Sequence, residues 1–289
     1  MAIDYHTLRN WRIPDIARSY DHRDTIIYAL GLGLGQDPND ANQLRFVLED
    51  RLCAMPAMAI VLAYPADWFS APGTGVDYSR VVHAEQSFTI HRKIPVAANV
   101  LGQIRVTDIY DKGADVGALM CTECEITDQD SGELLCTLTS SSMARADGGF
   151  GGQNVPSKSV AFIPQEPPHA SCDIPTAPQA ALIYRLSGDL NPLHCDPEPA
   201  RRSGFDRAIL HGRCTFGIAC WALVRTCCDY DQQRLQSMSV RFCGPVYPGE
   251  TLRTEIWRQG QTVNFRTWVV ERNALVLSHG QATILPAAD

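Results

Sequence analysis

Residues 212–228 read GRCTFGIACWALVRTCC, a run with few polar side chains. Apolar residues recur on one face at helical spacing, namely Phe216, Ala219, Cys220, Leu223 and Val224, which predicts a helix. A helix that is apolar nearly all round belongs inside a larger structure. Alternating segments follow it, VNFRTWVVE at 263–271 and ALVLSHGQATI at 274–284, and these predict antiparallel hairpins. The pattern indicates a sheet wrapped around a central helix.

The chain contains a degenerate internal repeat. IPVAANVLGQIRVTDIYDKG at 94–113 corresponds to GPVYPGETLRTEIWRQG at 244–260, and TIIYALGLG at 25–33 corresponds to ALIYRLSGD at 181–189. Because the matching segments keep the same order, they indicate duplication of one α+β unit. We expect a first unit at 1–147, a Gly-, Pro-, Ser- and Lys-rich connector at 148–170, and a second unit at 171–289.

The first half has a weaker candidate for a central helix. The segment MPAMAIVLAYP at 55–65 is apolar, but prolines lie near both of its ends. Proline is tolerated in the first turn of a helix and breaks a helix interior. We therefore predict a shorter helix here than at residues 212–228.

Composition excludes several classes of protein. The 289 residues are 45% hydrophobic and 20% charged, with a net charge of -7, so the chain can bury a core and is not expected to bind nucleic acid or anionic membranes. No apolar run approaches about 18 residues, and the N-terminus lacks the apolar core of a signal peptide. We expect a cytoplasmic protein with no membrane partner. The eleven cysteines are an odd number without an export signal, which disfavours a disulfide framework.

Chemically versatile side chains concentrate at residues 184–212, YRLSGDLNPLHCDPEPARRSGFDRAILHG. Asp189, Asn191 and His194 lie in a stretch punctuated by Gly and Pro, which predicts a tight turn. A carboxylate and an imidazole that share one water can deprotonate it and return a proton to a substrate. A backbone N–H at Gly212, where the buried helix begins, can stabilise negative charge that develops on a substrate.

These stretches resemble the MaoC-like, R-specific (type 2) enoyl-CoA hydratases, including the hydratase unit of the peroxisomal multifunctional enzymes of fatty-acid β-oxidation. The likeness covers nearly the whole chain. It includes VVHAEQSFTIHRKIP at 81–95, DIYDKG at 108–113, GGFGG at 148–152 and RFCGPVYPGETL at 241–252. The resemblance implies an α+β double hot-dog fold, two units that each wrap an antiparallel sheet around a helix. It also implies a hydro-lyase without a cofactor, often a homodimer, that converts a trans-2-enoyl-CoA into a (3R)-3-hydroxyacyl-CoA.

By the same resemblance, Asp189 and His194 activate the water, Asn191 helps to orient it, and the amide of Gly212 is the oxyanion donor. His83, Ala84, Lys112 and Phe242 fall at positions that contact the acyl-CoA in relatives. Relatives often have glycine where this chain has Ala84, so an extra methyl group would narrow the channel at that point.

The first half lacks its own set of these residues. In the alignment of the two halves, Gly33 stands opposite Asp189, Gly35 opposite Asn191 and Pro38 opposite His194. We therefore predict one active site per chain, with the first half shaping a channel for long or bulky acyl groups.

Other interpretations stay open on the sequence alone. Asp189 and His194 are also residues that turns favour for purely structural reasons. A hot-dog thioesterase or a non-catalytic acyl-CoA binding protein would carry a similar fold. A metal set of His194, Asp196, His211 and Cys214 has suitable ligand atoms, but its spacing matches no common zinc pattern. The sequence does not indicate which acyl group the substrate carries.

Overall fold

A computed structural model of the chain describes residues 3–63, 68–153 and 163–287. Its helices, numbered in chain order, are α1 Tyr5–Arg9, α2 His22–Leu32, α3 Ala41–Leu44, α4 Ala59–Leu62, α5 Ala180–Tyr184, α6 Pro197–Arg202 and α7 Gly212–Cys227. Three-residue 3₁₀ turns precede or follow several of them, including Pro56–Met58, Tyr78–Arg80, Arg185–Ser187, Pro192–His194 and Gln232–Arg234.

The strands of the described residues form one antiparallel sheet. They are β1 Ile16–Tyr20, β2 Val81–Ile90, β3 Ala98–Asp111, β4 Ala118–Asp128, β5 Leu134–Ala144, β6 Ala170–Pro175, β7 Leu235–Phe242, β8 Thr251–Gln259, β9 Thr262–Val269 and β10 Ala274–Ile284. Their order across the sheet is β1-β3-β4-β5-β2-β7-β10-β9-β8-β6. Counted inward from one edge, the first half has the order β1-β3-β4-β5-β2. Counted inward from the other edge, the second half has the equivalent order β6-β8-β9-β10-β7, as a duplicated unit requires.

The two halves meet at the pair β2–β7, where Phe88 lies opposite Met238 and Glu85 opposite Arg241. The Glu85 carboxylate also accepts a hydrogen bond of 2.8 Å from the Arg241 guanidinium. Helix α7 is buried along its length against the sheet of the second half. The predicted α+β double hot-dog fold is confirmed, and the predicted helix at 212–228 differs from α7 by one residue.

The central helix of the first half is much shorter than α7. The 3₁₀ turn Pro56–Met58 runs into the four residues of α4, and all of these side chains are buried. The β-branched Ile60 and Val61 and the absence of a side-chain cap give this helix little support of its own. The first unit therefore has only a short helix at its centre, as the prolines in the sequence predicted.

The predicted connector lies only partly within the described structure, because residues 154–162 fall outside the described residues. Its beginning is fastened to the first half. The carboxylate of Asp111 accepts hydrogen bonds of 2.8 Å from the backbone amides of Gly113, Gly149 and Gly151. These bonds join the segments DKG and GGFGG and lower the pKa of Asp111.

Among the described residues, no helix is long and apolar enough to cross a membrane. The eleven cysteines are all free thiols, and eight of them are buried. The eight buried thiols therefore act as small apolar side chains in the core.

Candidate active site

A cavity of about 340 Å³ lies between the two halves of the chain. The second half contributes Asp189, Asn191, His194 and Gly212 to its wall, and β2 contributes His83. The remainder is mainly apolar and comes largely from the first half, including Ile60, Ala63, Trp68, Phe69, Ile104, Cys124 and Leu138. A polar end and an apolar body therefore share one space, as is typical of small-molecule sites.

The turn that carries Asp189 is built by its own backbone. The 3₁₀ turn Arg185–Ser187 ends at Gly188, whose φ of 123° is open to glycine and strained for other residues. The Asp189 carboxylate then accepts a hydrogen bond of 3.3 Å from the backbone N–H of Asn191. The side-chain oxygen of Asn191 caps the next 3₁₀ turn by accepting from the Leu193 N–H at 3.0 Å. Asn191 thus holds the turn in shape and brings His194 back toward Asp189.

The backbone fixes the tautomer of His194. Its Nδ1 lies 2.9 Å from the carbonyl oxygen of Ile209, and a carbonyl can only accept, so Nδ1 carries the proton. Burial lowers the pKa of His194, while the carbonyl of Ile209 and the charge of Asp189 oppose this effect. The neutral ring therefore offers Nε2 as a proton acceptor.

His211 stands behind both of these residues. Its Nε2 donates to the backbone carbonyl of Asp189 at 3.1 Å, and its ring stacks on that of His194 with centroids 3.9 Å apart. The side chain is 1% exposed, and burial, followed by the nearby His194, lowers its pKa to about 4. His211 is thus a neutral donor that fastens the Asp189 turn to the start of α7.

The start of α7 is open toward the cavity. Gly212 is its first residue, and His211 provides no side-chain cap, so the first amide groups of the helix have no intrahelical partner. A Cβ at position 212 would lie 3.4 Å from the ring of Phe242, which packs over this point. Such a distance is an ordinary van der Waals contact, so Phe242 lies beside the helix start, while Gly212 itself lines the cavity.

The remaining predicted contacts divide into two groups. The ring of Phe242 packs on that of His83 with centroids 4.7 Å apart. Burial, and secondly the charge of Arg213, lowers the pKa of His83 to about 3, so the ring is neutral. Ala84, Lys112 and Phe242 are not among the residues that line the cavity, and Lys112 follows β3 in an exposed segment beside Gly113. Their contact with an acyl-CoA stays a prediction.

The four residues of the alternative metal set are not gathered at one point. The Asp196 carboxylate caps α6 through the Glu198 N–H, and the Cys214 thiol donates to the carbonyl of Gly31. Asp189, His194 and His211 do have ligand atoms within 4.8 Å of one another. The two imidazole rings are stacked at 29°, and Nδ1 of His194 and Nε2 of His211 each lie against a backbone carbonyl.

Further residues of the site were not predicted from the sequence. Gln86 and Arg213 add polar side chains to the wall of the cavity, and the apolar floor comes from strands β3, β4 and β5. His211 does not line the cavity, and the sequence suggested it only as a member of the alternative metal set. Its hydrogen bond to Asp189 spans 22 positions, and no local pattern in the sequence signals it.

Family models match both halves of the chain. A model described as MFE-2 hydratase 2 N-terminal domain matches residues 19–146, and a MaoC like domain matches residues 159–279. The peroxisomal enoyl-CoA hydratase 2 of Arabidopsis thaliana is 38% identical over 283 residues, which cover 92% of this chain and 91% of that protein. The chain belongs to the MaoC-like enoyl-CoA hydratase 2 family.

Two further relatives agree with this membership. The peroxisomal multifunctional enzyme type 2 of Mus musculus is 33% identical over 287 residues, covering 96% of this chain and 38% of that protein. A crystal structure of a MaoC-like dehydratase from Phytophthora capsici has a TM-score of 0.86 and 32% identity, and covers 98% of this chain and 99% of that one. The likeness therefore extends across both halves of the fold.

Proposed function

We propose that this chain catalyses the reversible hydration of a trans-2-enoyl-CoA to a (3R)-3-hydroxyacyl-CoA. The observation that carries the proposal is that Asp189, His194 and Gly212 line one cavity. The Asp189 carboxylate and a ring nitrogen of His194 lie within 4.8 Å, a separation that one bridging water can span. The names of the relatives, enoyl-CoA hydratase 2 among them, agree with this reaction.

The proposed water lies between the Asp189 carboxylate and Nε2 of His194. Nε2 takes one proton as the water oxygen forms a bond to C3, and the electron pair of the double bond moves toward the thioester oxygen. The resulting imidazolium returns the proton to C2 when the enolate collapses. The carboxylate of Asp189 stabilises the imidazolium. Hydrogen and hydroxyl both come from one water on one face, so atoms and charge balance.

We assign to the backbone amide of Gly212 the stabilisation of the negative charge on the enolate oxygen. Donors at a helix N-terminus are already oriented and stabilise such charge without rearrangement, and the helix dipole adds to the effect. The ring of Phe242 lies beside Gly212, next to this helix start. His211 keeps the Asp189 turn close to the same helix start.

We assign the acyl chain to the apolar body of the cavity. Its walls come mainly from the unit at 1–147, which lacks counterparts of Asp189 and His194 and has only a short central helix. The unit at 171–289 would then supply the chemistry, joined by the connector at 148–170. The ring of His83 is neutral, so it brings no charge that would disfavour an uncharged acyl chain beside it. Ala84, Lys112 and Phe242 are proposed to contact the coenzyme.

The proposal is tested by adding the protein to 2-enoyl-CoAs of graded length and bulk. Loss of the enoyl absorbance and a (3R) product by chiral analysis are the expected results. Release of free thiol without loss of the double bond would instead indicate a thioesterase, and binding without turnover would indicate a non-catalytic protein. Either outcome would overturn the proposal.

Assembly and location are separate predictions. We propose a homodimer, as the family resemblance implies, and a location in the cytoplasm. Some relatives carry the word peroxisomal in their names, so location in cells by fluorescence microscopy is the relevant measurement. Light scattering after gel filtration tests the dimer, and a mass of one chain would contradict it.

A further inference from the structure

A second cavity, of about 170 Å³, lies at the opposite end of the central strand pair. The active-site cavity lies where β2 begins, and its wall includes Val81, Val82 and His83. The second lies where β2 ends and β7 begins, and its wall includes Ile90, Ile94 and Gln236. Because β2 and β7 are antiparallel and occupy matching positions in the two halves, the two ends are related by the internal duplication.

Equivalent elements of the two halves line the two cavities. A 3₁₀ turn capped by aspartate precedes each central strand: Asp77 caps Tyr78–Arg80 before β2, and Asp231 caps Gln232–Arg234 before β7. Tyr78 lines the first cavity and Gln232 lines the second. The start of the central helix contributes Gly212 to the first and Pro56 to the second. The second cavity therefore stands where a second active site would be in a symmetric molecule.

This cavity has no catalytic set, but it does have an unsatisfied polar group. Among the residues that the structure describes, neither a carboxylate nor the residues aligned with Asp189 and His194 contribute to its wall. Gln232 is 4% exposed, and its side-chain oxygen has no hydrogen-bond partner among the described residues. A buried acceptor without a partner is costly, and rotation of the Gln232 side chain toward the cavity would let a ligand N–H group relieve this cost. Gln233 and Gln236 add further amide groups.

The rim of the cavity is positively charged, although the chain carries a net charge of -7. His91, Arg92 and Lys93 follow β2 directly. His91 shares a hydrogen bond with Thr137, and Arg92 pairs with Glu133 at 3.3 Å. Within the described parts of the chain, Lys93 forms no ion pair, so its ammonium group is available to an anionic ligand.

We infer that the second cavity binds the 4′-phosphopantetheine arm of coenzyme A or of an acyl carrier protein without turning it over. An amide N–H of the arm would donate to the Gln232 oxygen, its phosphate would meet Lys93, and its methylene groups would contact Ile90 and Ile94. The inference rests on the proposed function, because it assigns to the duplicated position the ligand class of the active site.

The test is a calorimetric titration of the whole protein with free coenzyme A, alongside the hydratase assay. The wild type is expected to bind two molecules per chain. Lys93→Glu and Gln232→Leu are each expected to weaken the second site at least tenfold while the hydration of crotonyl-CoA continues at the wild-type rate. Gln232→Leu replaces an unpaired buried acceptor with an apolar group of similar size, so it is not expected to harm folding.

One molecule of coenzyme A bound per chain, together with holo-acyl carrier protein that either fails to bind or binds the wild type and both variants equally, would overturn the inference and leave the proposed function intact. Two molecules of coenzyme A bound equally by the wild type and both variants would overturn the location. Loss of hydration in the wild type would instead count against the proposed function. If free coenzyme A fills one site, while holo-acyl carrier protein, but not its apo form, binds the wild type and binds both variants at least tenfold more weakly, the inference stands with the carrier as the source.

Discussion

At the scale of residues, the chemistry depends on the tautomer of His194. The carbonyl of Ile209 holds the proton on Nδ1, which leaves Nε2 as the acceptor that a bound water needs. Burial favours the neutral ring, because a charged imidazolium would lose solvation. The site is therefore ready to accept a proton before substrate arrives.

This lowered pKa predicts the pH dependence of the reaction. Protonation of His194 removes the acceptor, so activity is lost as pH falls through the pKa of this residue. Because that pKa lies below the ordinary value of about 6.5, we expect the acid limb of kcat/KM for crotonyl-CoA below pH 6.5. Rates from about pH 5 to about pH 8 check this, with circular dichroism to show that the protein stays folded. A half-maximal rate above pH 6.5 would contradict it.

His211 is predicted to be a positioning residue. His211→Phe keeps an aromatic ring against His194 but removes the hydrogen bond to the Asp189 carbonyl. A displaced turn misaligns the water, so we expect kcat to fall about tenfold or more, with a smaller change in KM. The exposed His22→Phe at the start of α2 is the control. An unchanged kcat in the His211 variant would show that the hydrogen bond plays no part.

Sequence reasoning identified Asp189, His194 and Gly212 because they lie within one local segment whose turn and helix start are visible in the residue types. It did not identify the link from His211 to Asp189, because that contact depends on how α7 approaches the turn. Lys112 was assigned by resemblance, and the structure leaves it on an exposed turn outside the cavity. Local chemistry was readable, whereas contacts made by packing were not.

At the scale of elements, α7 decides how closely the two halves approach. Gly217 lies in the buried part of this helix, against Leu32 and Tyr28 of α2. A Cβ there would lie 2.6 Å from a methyl group of Leu32 and 2.9 Å from the Tyr28 hydroxyl. Both side chains are 1% exposed and have little room to move.

Gly217→Ala is therefore expected to destabilise the protein by about 1–3 kcal/mol, because it overfills a close-packed contact. This outcome opposes helix propensity, which favours alanine over glycine by about 1 kcal/mol. Urea unfolding measures the difference in the free energy of unfolding. Arg225→Ala, on the exposed side of the same helix, should stay within about 0.5 kcal/mol. An equal or higher stability for Gly217→Ala would contradict the packing.

The short length of α4 is also a matter of elements rather than of single residues. The sequence showed that the prolines around residues 55–65 limit the helix, and the structure has four residues of α-helix at this place. The sequence could not show what fills the space beside it, since the sheet and the cavity together determine that. The apolar walls on β3, β4 and β5 became apparent only from the register of those strands.

At the scale of the whole molecule, the two halves have separate tasks. The second supplies the Asp189 turn and α7, and the first supplies most of the apolar wall of the cavity. If the second half alone carries the chemistry, as proposed, the first half is free to change shape around the substrate. This division predicts that changes in the first half alter the choice of substrate more than the chemistry.

Cys124→Phe tests this division. Cys124 lines the cavity from β4, and a larger ring there would displace about two methylene groups of a long acyl chain. At about 0.8 kcal/mol for each methylene, kcat/KM for a ten-carbon enoyl-CoA should fall roughly tenfold, with little change for crotonyl-CoA. Cys121→Phe, on the same strand but outside the cavity lining, is the control. Equal losses for both substrates would place the acyl chain elsewhere.

The most direct test of the whole account is the hydration rate of Asp189→Asn, measured with crotonyl-CoA and longer homologues. The amide keeps the size of the side chain but removes the charge that stabilises the imidazolium. We expect kcat/KM to fall at least about a hundredfold, with the circular dichroism spectrum unchanged. The matched variant Asp196→Asn, which retains a capping side chain at α6, should keep the wild-type rate. Hydration by Asp189→Asn at the wild-type rate would contradict the account.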